Sequence, residues 1–326
     1  ATWARDRTGL ADIKVVLHYD AGPWLIGRLQ ALAEQGLNVD TCSERDDARF
    51  AKLMMEAEVL WHVLKPVTAE VMARAPRLRL VHKIGIGVNT IDLEAARERG
   101  IAVCNMPGTN SQAVAEMALL LMLASLRRII HFDRRTRAGQ GWTIEPDLME
   151  RLGEIRGRRV GLVGFGAIPT LLAPWLKAMG ADVVYTDVAA RPGLEFTFLP
   201  LEELLATSGI VSLHVPLTDK TARLIDRAAL ARMKPGAILI NTARGGLVHP
   251  QALHAALASR QLAAAGLDVF AEEPAPPDNP LFALPNVVVT PHIAWLTTAT
   301  FDRSLALAAE NCRRLAGGEA LLHRVQ

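Results

Sequence analysis

The chain has 326 residues, half of them hydrophobic, with 36 basic and 34 acidic side chains for a net charge of +2. That length allows two domains with cores of their own, and the absence of long single-sign charge runs argues against nucleic acid or an anionic membrane surface as partner. The longest uncharged apolar stretch, around Met117 to Ser125, is bounded by Glu116 and Arg127 and is too short to span a bilayer.

From the start, residues 13–17, 58–64 and 78–84 read as short apolar strands and residues 24–34 as an amphipathic helix closing at Gly36. Strands alternating with helices imply a parallel sheet under helical cover. The third strand runs into Lys83-Ile84-Gly85-Ile86-Gly87-Val88-Asn89. Two glycines at a carboxyl end leave backbone N–H groups open to a small anion, with a plain turn as the alternative. Lys65, after another strand, either adds positive charge to the same mouth or is a solvated lysine.

Residues 101–104 form a further strand, Pro107-Gly108 a turn, and residues 111–130 a helix that Ser111 could cap. This helix is apolar nearly all round, which predicts burial between domains or subunits. The domain boundary falls near 109–112.

Residues 158–187 form a βαβ unit: strand 158–163, a turn at Gly164 and Gly166, a helix over 167–179, and strand 183–186 ending at Asp187. Gly164 allows the tight turn, Gly166 admits a pyrophosphate to bare backbone, and the helix start at Ala167 and Ile168 offers unpaired N–H groups. Asp187, about 20 residues on, suits two ribose hydroxyls and repels a 2′-phosphate, which selects NAD over NADP. Pro169 stands where the third fingerprint glycine is expected, and Pro174 predicts a bent helix.

The alternation continues with helix 201–206, strand 210–214, helix 226–233, strand 237–241, helix 250–258, strands 264–269 and 287–290, and a closing helix with a tail over 297–326. This pattern suits a doubly wound sheet. Three strand ends supply Arg244, Glu273 and His292. A guanidinium fork can hold a carboxylate while polarising the adjacent carbonyl, and an imidazolium can protonate the oxygen as hydride reaches carbon. A carboxylate behind the imidazole would orient it. Each of the three residues alone could equally be a solvated loop residue. Cys42, Cys104 and Cys312 lack paired spacing and read as cytosolic thiols; no metal motif and no leader segment is legible.

Asn-Thr-Ala-Arg-Gly-Gly around Arg244, Ala-Gly-Leu-Asp-Val-Phe-Ala-Glu-Glu-Pro around Glu273 and Thr-Pro-His-Ile around His292 resemble the D-isomer-specific 2-hydroxyacid dehydrogenase family. Lys-Ile-Gly-Ile-Gly-Val-Asn-Thr-Ile-Asp and Val-Ala-Glu-Met-Ala-Leu-Leu-Leu-Met-Leu extend the likeness into the first half. The resemblance implies Arg244 for the substrate carboxylate and carbonyl, His292 as acid/base and Glu273 as its partner. It implies backbone at Ile86 and Gly87 for the carboxylate, Asp268 near the nicotinamide carboxamide, and His214, Val215, Pro216, Thr242, Ala243 and Ala294 along the cofactor. It further implies an NAD-binding Rossmann domain, 110–296, inserted in a discontinuous flavodoxin-like substrate domain, 1–109 and 297–326, and a cytoplasmic homodimer joined through the NAD domain.

Departures from the family pattern are Pro169, Asn89 where Asp is usual, and Ala294-Trp295 after His-Ile, where Trp295 would narrow the mouth. No regulatory domain is expected after the last helix. The expected activity is NAD-dependent interconversion of a small anionic 2-oxo acid and its D-2-hydroxy acid. Alternatives are formate- or phosphite-type dehydrogenation, for which Glu273 and Ile86 are the wrong residues, and an NAD(H)-sensing corepressor.

Overall fold

The computed structural model describes residue 10, residues 12–143 and residues 145–326; the opening segment inspected for a leader lies outside them. Two compact units divide the chain, Ala1–Asn110 with Thr297–Gln326, and Ser111–Leu296.

In the first unit β1 (Val15–His18), α1 (Pro23–Glu34), β2 (Val39–Cys42), α2 (Asp47–Met54), β3 (Val59–His62), α3 (Ala69–Ala73), β4 (Leu80–Lys83), α4 (Leu93–Glu98) and β5 (Ala102–Cys104) alternate. Every residue of β1, β3 and β4 is buried, which is why they read as unbroken apolar runs. β2 escapes sequence reading because Val-Asp-Thr-Cys lies half exposed at the sheet edge. The order is β2-β1-β3-β4-β5, parallel throughout, the flavodoxin-like doubly wound arrangement. Asp46, Thr68 and Asp92 each accept a first-turn N–H of the helix they precede, worth about 1 kcal/mol apiece.

The second unit opens with α5 (Ser111–Arg127), α6 (Ile129–Arg137) and α7 (Pro146–Met149). There follow β6 (Arg159–Val163), α8 (Ala167–Ala178), β7 (Asp182–Thr186), β8 (Thr197–Phe198), α9 (Leu201–Thr207), β9 (Ile210–Leu213), α10 (Arg227–Arg232), β10 (Ala237–Asn241), α11 (Pro250–Ala258), β11 (Leu262–Leu267) and β12 (Val287–Val289). The sheet order is β12-β11-β10-β9-β6-β7-β8, again all parallel. Because β6 pairs with both β7 and β9, strand order reverses there, and ligands of such sheets bind at the carboxyl ends beside that point. Val163, Val211, Leu213 and Leu239 enter one core cluster, and Leu162, Tyr185, Ile210 and Ile240 another. Successive strand residues thus bury both faces.

Several expectations are corrected here. The helix predicted over 111–130 ends at Arg127, because Arg128 adopts φ 52° and α6 starts afresh. Within its own unit α5 packs against α8, β10 and β11, while Leu120 on its outer side stays exposed. Ser111 does not cap it, since its buried hydroxyl has no partner among the described residues. α8 continues past Pro174, which lies on its exposed side, while Pro169 sits in the first turn, where no N–H is needed.

The chain returns to the first unit as α12 (Thr298–Gly317), capped by Thr297 Oγ1 on Thr300 N–H at 3.0 Å and closed by Gly318 at φ 67°. Asn311 Nδ2 donates to His82 Nε2 (2.9 Å) and to the Leu322 carbonyl (3.0 Å), tying α12 and the tail to β4. Among the described residues no helix is long and apolar enough to cross a membrane, and Cys42, Cys104 and Cys312 are free and buried.

Candidate active site

β6 ends in Gly164-Phe165-Gly166 and α8 begins at once. Gly164 takes φ 90°, and a Cβ there would stand 2.8 Å from the carbonyl oxygen of His214, just after β9. Only glycine allows this approach. Nothing lies within 4 Å of a Cβ position on Gly166, and no side chain caps α8. The N–H groups of Ala167 and Ile168 therefore remain without an intrahelical acceptor at the positive end of the helix dipole.

Asp187 follows β7 directly. Its Oδ2 accepts from Phe165 N–H (3.2 Å) and Arg191 Nη2 (3.0 Å), and its Oδ1 from Val188 N–H (2.8 Å). The carboxylate is thereby latched to the glycine loop. Both ring nitrogens of His214 and the hydroxyl of Thr242 are buried without a partner among the described residues. Burial pulls the His214 imidazole down to about 3, so it is neutral. Val215 packs on the core, and the Pro216 carbonyl accepts from Thr221 Oγ1 (2.6 Å). An open glycine cradle, an uncapped helix, an oriented carboxylate and orphaned polar atoms along the neighbouring strand ends fit a dinucleotide.

Beyond β10, Asn241 braces the turn that carries Arg244. Its Nδ2 donates to the Arg244 carbonyl (2.9 Å) and its Oδ1 accepts from Ala243 N–H (3.0 Å). A Cβ on Gly245 would fall 1.9 Å from the Phe270 carbonyl carbon, so this turn lies directly on the segment after β11. Arg244 Nη1 donates to the Ala243 carbonyl (2.6 Å). Burial draws its guanidinium below the usual arginine value, opposed by the charge of Glu273.

Glu273 Oε2 meets His292 Nδ1 at 2.6 Å, and its Oε1 accepts from Phe270 N–H at 2.9 Å. A carboxylate can only accept, so the proton lies on Nδ1 and Nε2 is the free ring atom. Burial raises the Glu273 pKa, but the bonds from His292 and Phe270 N–H and the charges of His292 and Arg244 outweigh it and hold the carboxyl below its usual range.

His292 stands in the left-handed region at φ 56°. Its N–H donates to the Asp268 carbonyl (2.8 Å), while the fully buried Asp268 carboxylate accepts from Thr290 Oγ1 (2.5 Å), Ile293 N–H (2.9 Å) and Ala294 N–H (2.9 Å). Asp268 is therefore the clamp of the turn bearing His292. Burial pushes its carboxyl up, and these bonds oppose the shift. Ala294 is buried with its N–H committed to this clamp, and Trp295 Nε1 donates to the His292 carbonyl (3.1 Å).

In the first unit, Asn105 Nδ2 donates to the Ile86 carbonyl (2.9 Å) and Met106 N–H to that of Gly85 (2.9 Å), fixing the glycine loop. Among the described residues neither Ile86 nor Gly87 N–H meets an acceptor. Lys65, read from sequence as charge at the mouth or as a solvated lysine, has local partners. Its ammonium pairs with Asp47 and donates to the Glu44 carbonyl (2.9 Å), so two of its three donors serve to hold its own loop. Sequence reading missed the Asn241 brace and the Arg191 partner of Asp187. The former heads a motif already singled out, and the latter's four-residue spacing from Asp187 was the available signal.

The D-isomer specific 2-hydroxyacid dehydrogenase NAD binding domain family matches residues 119–294. A glyoxylate reductase of Korarchaeum cryptofilum is 42% identical over 259 residues, 78% of this chain and 78% of that protein. A D-3-phosphoglycerate dehydrogenase of Mycobacterium leprae is 42% identical over 261 residues, 78% of this chain but 48% of that protein. The crystal structure of the TT0316 protein from Thermus thermophilus superposes with a TM-score of 0.87 at 40% identity, covering 96% of this chain and 99% of that one.

Proposed function

The chain belongs to the D-isomer-specific 2-hydroxyacid dehydrogenase family, NAD-dependent oxidoreductases, and on that premise we propose that it reduces a short anionic 2-oxo acid to its D-2-hydroxy acid. Bound NADH supplies the hydride. The second unit holds the dinucleotide, through the N–H groups after Gly166 and the Asp187 carboxylate, and the first unit contributes Ile86 and Gly87 N–H to the substrate carboxylate.

The observation that carries this reading is the Glu273–His292 bond at 2.6 Å. It fixes the imidazole with Nε2 free, so that His292 gives a proton to the carbonyl oxygen during reduction and takes it back during oxidation. Arg244 pairs with the substrate carboxylate and polarises the carbonyl beside it. Asp268 acts through the turn: by clamping residues 290–294 it keeps Nε2 where the oxygen arrives.

His292→Ala should lower kcat by about 10²–10⁴-fold, the usual contribution of a positioned acid/base, with NADH affinity within about twofold of wild type. Unchanged turnover would remove His292 from the mechanism.

A further inference from the structure

Away from the loops just described, the second unit contains a cavity of about 400 Å³ whose wall carries Arg128, Arg151, Arg158 and Arg260. These come from four separate segments: the α5–α6 break, the end of α7, the approach to β6 and the end of α11. Arg158 Nε donates to the Glu154 carbonyl (2.8 Å) and Arg128 Nη1 to that of Pro285 (3.3 Å). Among the described residues none of the four has a carboxylate partner, and Glu150, the acid in the wall, pairs with none of them.

A patch of arginines in open water would ordinarily be a solvated face. Three observations separate this one from that case. The four arginines line one concave space, with Arg128 and Arg158 half-buried and Arg151 and Arg260 exposed, and the pull of burial on Arg128 below the usual arginine value is reinforced by the like charges of Arg260 and Arg151. Ser125 also lines the cavity, 3% exposed, with a hydroxyl that meets no partner among the described residues. Arg128 and Arg260 both hold left-handed backbone, at φ 52° and 62°, a conformation uncommon for a non-glycine residue.

We infer that this cavity binds a small organic anion bearing two or more phosphate or carboxylate groups. Guanidinium forks match both groups bidentately, Ser125 adds a hydroxyl donor, and the volume lies within the ordinary range of small-molecule sites, beyond what one inorganic ion fills. None of its residues belongs to the dinucleotide or hydride-transfer machinery, so the site is an addition to the proposed reaction.

The test is calorimetric titration at low ionic strength of NADH-saturated protein, whose phosphate cradle is already filled, with pyrophosphate and separately with citrate. One-to-one uptake of either probe is expected, and which probe binds assigns the phosphate or the carboxylate class. Arg151→Gln combined with Arg260→Gln should weaken it at least tenfold while NADH affinity and turnover stay unchanged; the single variants serve if the double variant fails to fold. Arg244→Ala should retain uptake. No uptake of either probe overturns the inference, as does uptake indifferent to the arginine substitutions. A change in sedimentation of the double variant, with no anion bound by wild type, would reassign the cluster to contact with a second copy of the chain.

Discussion

The geometry of His292 is not its own; three groups on two neighbours impose it. Glu273 selects the tautomer, the Asp268 carbonyl fixes the left-handed backbone, and the Asp268 carboxylate gathers Thr290, Ile293 and Ala294 into the turn. Charged groups that accept several hydrogen bonds contribute roughly 1.5–3 kcal/mol per bond, enough to hold such a turn against its backbone strain. Gly245 plays the equivalent part for Arg244. With a Cβ 1.9 Å from the Phe270 carbonyl carbon, backbone must move. Gly245→Ala should destabilise the second unit by about 3 kcal/mol, the upper end of what overpacking costs. Thermal unfolding checks this, and an unaltered Tm would contradict so close a contact between the two segments. Arg244, Glu273 and His292 stand at strand ends, but position alone left each of them ambiguous, and it was the resemblance of their surrounding motifs to the family that singled them out. The partners of Lys65 were not legible, because Glu44 and Asp47, before and at the start of α2, are distant in sequence and no local pattern announces the pairing.

At the scale of elements, β6, α8 and β7 form the proposed dinucleotide cradle, and Asp187 joins the end of β7 to the loop before α8. Asp187→Ala removes the acceptor for ribose hydroxyls and also frees Arg191. NADH should bind about tenfold more weakly, a change of about 1.4 kcal/mol, while NADPH tightens because an unpaired guanidinium favours a 2′-phosphate. Fluorescence titration of both nucleotides decides it, and parallel weakening of the two would contradict the assignment. In the first unit α12 is fastened to β4 by Asn311 donating to His82, a bond that requires neutral Nε2. Burial lowers the His82 pKa from 6.5 to about 4, so between these values the unfolded chain binds the proton and the folded chain does not. Stability is then complete above pH 6.5 and falls as pH drops towards 4, by an amount on the order of 3 kcal/mol. Urea unfolding of wild type and His82→Asn across that window should give a flatter pH dependence for the variant; equal slopes would exclude His82 as the titrating group.

For the whole molecule, two parallel sheets were legible from alternation alone, because strands buried on both faces are short apolar runs between helices. What stayed hidden follows from the same logic. β2 and the two-residue β8 bury too little to show a pattern, and the break between α5 and α6 rests on Arg128 adopting a conformation that sequence normally signals with glycine. Strand order, and with it the reversal beside β6 where the proposed site lies, emerges only from pairing over long distances.

The most direct test of the central claim follows NADH oxidation by the purified protein with glyoxylate, hydroxypyruvate, pyruvate and phosphohydroxypyruvate, with Arg244→Ala alongside. NADH-dependent reduction of at least one acid, abolished by the substitution, is the expected result. Tight NADH binding without turnover of any of the four would contradict it.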